Sequence, residues 1–122
     1  MIETLKGFAP DTIALKGSGF VSGADYDTVL VPAVERTLKH YDRVRVYYEI
    51  APDFTGISLS AMWKDFWVGV RHITRWKRIA VVTDVPWIKR LGRTFGFILP
   101  SATKVFTVAD ATEARRWLES AR

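Results

Sequence analysis

Three short runs dense in β-formers, Arg43 to Ile50, Arg78 to Thr83 and Thr103 to Val108, are each followed by apolar residues at helical spacing. That alternation constrains the chain more than any other feature. Strands separated by helices join through right-handed crossovers, so the three runs predict a largely parallel sheet with helices on its faces. Ahead of them, Ile2 to Phe8 and Thr12 to Phe20 read as two further strands. The Ala9-Pro10-Asp11 turn between these two predicts an N-terminal antiparallel hairpin. The expected order is ββαβαβαβα: an α/β fold with a mixed five-stranded sheet and four helices, forming one domain over residues 1–122.

The helices carry their own start signals. Ser22-Gly-Ala-Asp25 has the spacing of a capping box, and Tyr26, Val29, Leu30, Ala33, Val34, Leu38 and Tyr41 follow on one face. Pro32 interrupts that pattern. A proline inside a helix costs on the order of 3 kcal/mol unless the helix bends, which predicts a kink. The second helix runs from Ser60 with Trp63, Phe66, Trp67, Val70 and Ile73 as its stripe. The third follows Pro86 with Trp87, Ile88, Leu91, Phe95 and Ile98. Asp110-Ala-Thr-Glu113 is a second capping-box pattern, opening a C-terminal helix with Ala114, Trp117, Leu118 and Ala121 toward the core.

At 122 residues, 48% hydrophobic and 25% charged, the chain can bury a real core. With no cysteine and two histidines, His40 and His72, it has no disulfide scaffold, thiol nucleophile or thiolate metal site. The histidines lack the i, i+4 spacing of a metal pair, no Gly-rich phosphate-loop pattern is present, and neither a metal nor a cofactor is expected. The opening Met1-Ile-Glu-Thr-Leu-Lys6 has no apolar signal stretch, and no run approaches the ~20 residues of a membrane span. The expected location is cytoplasmic, extending to the inner face of the membrane as a peripheral protein.

Several stretches resemble the small bacterial SpoIIAA-like proteins, whose fold is related to STAS and CRAL-TRIO (SEC14) domains. They are Ser22-Gly-Ala-Asp-Tyr-Asp-Thr-Val-Leu-Val-Pro32, Gly69-Val-Arg-His-Ile73 running into Arg78-Ile-Ala-Val-Val82, Phe95-Gly-Phe-Ile-Leu-Pro100, Lys104-Val-Phe106 and Glu113-Ala-Arg-Arg-Trp-Leu118. The resemblance spans nearly the whole chain and implies the fold more than an activity. Similarity to anti-sigma-factor antagonists would imply a phosphorylatable serine in a turn after the central strand. Here the corresponding residues are Ile50-Ala-Pro-Asp-Phe-Thr-Gly56, with Thr55 before the glycine and serines only at 58 and 60, a departure from that pattern.

Ligands of such sheets sit at the carboxyl ends of the strands. The loop Asp53-Phe-Thr-Gly-Ile-Ser-Leu-Ser60 gathers hydroxyls and an acid there, at the start of the second helix, whose free amides favour an anion. Asp53, Thr55, Ser58 and Ser60 are therefore candidate contacts for a carboxylate or phosphate. Helix capping by a serine and a turn at Asp53 form the plainer account. Phe54, Trp63, Phe66 and Trp67 would line an apolar pocket between the second and third helices, as the CRAL-TRIO likeness implies. Core packing explains them equally well.

Charge is uneven along the chain. Residues 1–63 hold six Lys/Arg against eight Asp/Glu, whereas residues 64–104 hold nine against two and contain or adjoin four of the five tryptophans. On the third helix Lys89, Arg90, Arg93 and Phe97 fall opposite the core stripe, a pattern suited to an anionic membrane or an acidic partner. Trp63, Trp67 and Trp87 would be its apolar anchors. A solvated basic face over core tryptophans is the plainer account. The leading expectation is a non-enzymatic binding module that takes a lipid-like, amphipathic ligand between the second and third helices and docks reversibly on anionic membrane. The alternative is a STAS-like regulatory protein acting through a protein partner, without membrane or phosphorylation. A protein partner or a second copy of the chain is a candidate partner, the sequence leaving the oligomeric state open, and nucleic acid is not expected, since the aromatics fall on helical core stripes rather than an exposed sheet face.

Overall fold

In the computed structural model, which describes residues 1–58, 75–86 and 103–120, β1 (Ile2–Thr4), β2 (Thr12–Gly17), β4 (Val44–Ile50), β6 (Trp76–Val82) and β7 (Thr103–Phe106) form one five-stranded sheet in that order. Two shorter strands, β3 (Phe20–Val21) and β5 (Gly56–Ile57), pair with each other outside it. β1 is antiparallel to β2, and all the other pairings are parallel. The mixed α/β sheet read from the sequence is thus present. The second and third helices expected from Ser60 and after Pro86 lie outside the described residues.

The two faces of the sheet build two cores. Along β4, Val44, Val46 and Tyr48 turn to one side and Tyr47 to the other, the period of two that any strand imposes. On the first side a helical stretch made of α1 (Gly23–Asp25), a π-turn over Tyr26–Leu30 and α2 (Val31–His40) lays Tyr26, Leu30, Val34 and Leu38 onto Ile13, Leu15 and Val44. Each fully buried side chain of this size contributes about 1.5–3 kcal/mol by leaving water. On the second side α3 (Ala111–Glu119) sets Ala114 and Leu118 against Ala80, Val82 and Tyr47. Arg115 of α3 also donates to the Gly7 carbonyl at 2.7 Å and stacks over Phe8 at 4.0 Å, tying the hairpin loop to that face.

Pro32 is accommodated differently from a simple bend. Val31 N–H donates to Tyr26 O, five residues back, so the ladder loosens into a π-turn just before the residue that has no N–H to give. Pro32 then stands in the first turn of α2, where its missing donor costs least.

Other boundaries are corrected. The strand expected over Thr12 to Phe20 ends at Gly17, because Gly19 takes a left-handed φ of +55° that turns the chain out of the sheet and sends Phe20–Val21 to β5. The loop expected from Asp53 to Ser60 consequently contains a strand. β6 begins at Trp76 rather than Arg78, and Trp76 is buried in the first core. The capping box at Ser22 is present in both directions. That at Asp110 is not: a 3₁₀ turn over Val108–Asp110 precedes α3 and leaves Asp110 outside extended geometry, and its carboxylate accepts from Thr107 Oγ1 at 3.1 Å instead. Glu113 pairs with Arg116 at 3.0 Å.

Candidate functional site

The carboxyl ends of β2 and β4 are clamped by the small β3–β5 sheet. Phe20 pairs with Gly56 and Val21 with Ile57, and the flanking backbone completes the clamp: Ala51 N–H donates to Gly17 O at 2.8 Å, Phe54 N–H to Ala51 O at 3.1 Å, Thr55 N–H to Gly19 O and Ser58 N–H to Val21 O, both at 2.9 Å. The amides of Phe54, Thr55 and Ser58 are therefore engaged with carbonyls of the protein. A ligand or partner meeting this loop must do so through side chains.

Those side chains divide by exposure. Asp53 and Thr55 face solvent, Ser58 is half-buried, and Phe54 is half-buried against the first core near Ile57. Phe20 is 54% exposed, with its ring over Gly56, where an added Cβ would meet Phe20 Cδ1 at 4.0 Å. Sequence reasoning placed Phe20 inside a hairpin strand. The signal that could have singled it out is the Gly-Phe step, a turn residue followed by an aromatic with no place in the strand's alternation. Ser60, Trp63, Phe66 and Trp67 of the expected pocket, and Trp87, Lys89, Arg90, Arg93 and Phe97 of the expected membrane surface, lie outside the described residues.

Polar groups on the second face of the sheet approach the same end. The Tyr47 hydroxyl donates to Glu49 Oε1 at 2.9 Å, and Lys16, the cross-strand partner of Glu49, lies 3.8 Å from its other oxygen. Burial, reinforced by the bond to Glu49, holds the Tyr47 phenol well above its ordinary range, so it stays a proton donor. On the first side of the clamp, the Ser22 backbone N–H holds the Asp25 carboxyl below its ordinary value.

Three of the described basic residues of this segment, Arg75, Arg78 and Lys104, make contacts within the fold. Arg75 donates to the carbonyls of Leu38, Tyr41 and Asp42 at 2.7, 2.9 and 2.9 Å, placing its charge at the negative end of α2. Arg78 does the same for α3 through the Trp117 carbonyl and the Ser120 hydroxyl. Lys104 lies over the Phe106 and Trp117 rings at 5.2 and 5.9 Å. Part of the charge excess of residues 64–104 thus serves helix ends and aromatic faces rather than an open surface.

The SpoIIAA-like family model matches residues 12–119. Among solved structures, the chain is similar to the crystal structure of an uncharacterized protein of the DUF3478 family with a SpoIIAA-like fold from Shewanella loihica PV-4. The TM-score is 0.75 at 25% sequence identity, and the match covers 96% of this chain and 93% of that one. No curated protein matches. The family model takes in most of both cores, the clamp and α3, and the chain belongs to the SpoIIAA-like family.

Proposed function

We propose that the chain is a STAS-like regulatory module that binds a protein partner at the carboxyl end of its parallel sheet and catalyses no reaction. The observation that carries this reading is Phe20: a large aromatic, 54% exposed, on a strand whose backbone is fixed by pairing with β5. Rigid exposed aromatics anchor interfaces, because little side-chain entropy is lost when they are covered. Exposed Asp53 and Thr55 nearby supply a polar rim around that anchor. The family assignment agrees with a regulatory binding role. A competing reading takes an amphipathic ligand on Phe54 together with Ser60, Trp63, Phe66 and Trp67, and docks on anionic membrane through Trp87, Lys89, Arg90, Arg93 and Phe97. The half-buried ring of Phe54 is the observation that favours it.

The test compares the full chain with its Phe20→Ser variant, folded by circular dichroism, in quantitative pull-downs from the native host and in flotation with vesicles of anionic lipid. A stoichiometric protein retained by the native chain and lost by the variant supports the proposal. Retention of both chains on anionic vesicles, with no stoichiometric protein, transfers the function to the amphipathic-ligand reading.

A further inference from the structure

Among the described residues, the large apolar side chains left exposed are Met1, Phe20 and Tyr41. They fall at opposite ends of the parallel sheet. Met1 and Phe20 stand together beyond the carboxyl end of β2, where the Met1 amine donates to the Phe20 carbonyl at 2.6 Å. Tyr41 stands three residues ahead of β4, at the amino end. The seven residues of β4 hold these ends about 20 Å apart.

The two ends differ in charge. Residues 17–28 and 49–58, which build the Phe20 end, contain Asp25, Asp27, Glu49 and Asp53 and no Lys or Arg. Lys16 lies beside Glu49 and the Met1 amine beside Asp25, at 3.8 and 3.5 Å, while Asp27 and Asp53 are exposed. Residues 36–45, which run into β4 at the other end, contain Arg36, Lys39, Arg43 and Arg45 against Asp42. Arg45 pairs with Asp11, whereas Arg36, Lys39, His40 and Arg43 are exposed. Both aromatics sit on fixed backbone. Phe20 is held by β5. Tyr41 N–H donates to Thr37 O at 3.1 Å, and the carbonyls of Leu38, Tyr41 and Asp42 all accept from Arg75. Each end therefore has a rigid aromatic anchor and a charged rim.

We propose that the Phe20 end of one copy of this chain docks on the Tyr41 end of a second copy. This docking rests on the reading of Phe20 as a partner surface and supplies that partner's identity. Charge complementarity selects a second copy: the acids around Phe20 call for an aromatic surface with a basic rim, and the Tyr41 end is one. The rings supply the burial, and Asp27 and Asp53 facing Lys39 and Arg43 fix the orientation. Like ends repel. The two patches differ and stand too far apart to meet within one molecule, so the contact is head to tail and adds copies in series.

The full chain is followed by sedimentation velocity over a range of concentrations at low and high salt, beside Phe20→Ser and the double variant Lys39→Glu with Arg43→Glu. All three positions are exposed, so both variants are expected to fold, which circular dichroism checks. Asp53→Lys provides a second block of the Phe20 end. The native chain is expected to form species larger than a dimer, less so at high salt, and each variant alone to self-associate about tenfold or more weakly. An equal mixture of Phe20→Ser and the double variant should form dimers and nothing larger, because the intact Phe20 end of one meets the intact Tyr41 end of the other. A native chain that stays monomeric, assembly unchanged by the substitutions, or a mixture no more associated than its components overturns the proposal. If the native chain stays monomeric, a different stoichiometric protein retained through Phe20 in the pull-down leaves the partner reading standing, and its absence removes that reading as well.

Discussion

The guanidinium of Arg78 lies 4.6 Å from the centroid of the Trp117 ring and donates to the carbonyl of that same residue and, at 2.8 Å, to the hydroxyl of Ser120. One side chain from β6 therefore holds both the indole and a C-terminal carbonyl of α3, the helix that covers the second core. A stacked cation contributes about 0.5–1 kcal/mol, and a hydrogen bond from a charged donor about 1.5–3. Arg78→Ala is expected to lower stability by about 2 kcal/mol in equilibrium urea unfolding. Arg78→Lys should recover less than half of that, because an ammonium can neither stack flat nor fork. Full recovery by lysine would show that charge alone matters at this position.

Arg75 and Arg78 also explain what was legible in the sequence and what was not. The first helix was legible because its signals are local: Ser22 and Asp25 three residues apart, then Tyr26, Leu30, Val34 and Leu38 at helical spacing. The two basic residues fall within the charge excess of residues 64–104 and nothing local marks their role, since their acceptors, the carbonyls of Leu38 and Trp117, lie 37 and 39 residues away. The β3–β5 pairing left no local trace either. Two residues on each side carry no periodicity, and only the left-handed Gly19 marks where the strand breaks. That pairing defines the Phe20 surface, so the fold was readable from local pattern while the candidate site depended on contacts between distant segments.

At the start of the first helix, Asp25 Oδ2 accepts from the Ser22 N–H at 2.8 Å and the Ser22 hydroxyl at 3.0 Å, while Ser22 Oγ accepts from Asp25 N–H at 3.2 Å. Ser22→Ala should cost about 1 kcal/mol. The Ser22 backbone bond is the main reason the folded Asp25 carboxyl ionises below the ~3.9 of an unfolded chain. The carboxylate's contribution is therefore fully present above about pH 4 and is lost as pH falls through the folded value. The stability gap between the native chain and Asp25→Asn should be large at pH 6 and shrink toward pH 3 in urea titrations. A gap independent of pH would rule out the ionised cap.

Pro32 offers a contrast between what a local rule charges and what the surroundings permit. Inside a regular helix a proline costs about 3 kcal/mol, but here the Val31 to Tyr26 bond has already opened the ladder into a π-turn. Pro32→Ala would gain at most one net hydrogen bond, about 1 kcal/mol. It would also forfeit about 0.4–1 kcal/mol of restriction that proline places on the unfolded chain. The two nearly cancel, so thermal unfolding should place the variant within about 0.5 kcal/mol of the native protein. A stabilisation near 3 kcal/mol would mean the proline is strained despite the π-turn.

Gly17 ends β2 where the chain leaves the sheet for the Phe20 surface, and a Cβ there would lie 3.2 Å from Tyr48 Oη, 3.4 Å from Tyr48 Cε1 and 3.6 Å from Val21 Cγ2. Overpacking of this kind costs about 1–3 kcal/mol, against about 0.4–1 kcal/mol gained from stiffening the unfolded chain. Gly17→Ala should therefore destabilise by about 1 kcal/mol. Removing the Tyr48 hydroxyl removes the nearest atom and leaves the ring carbon as the closest contact. In a double-mutant cycle, Gly17→Ala should cost about 0.5–1 kcal/mol less in the Tyr48→Phe background than in the native one. Additive costs would show that the tyrosine hydroxyl yields to the new methyl without loss. The close approach of Gly17 and Tyr48 would then play no part in setting the path of the chain into Gly19 and β3.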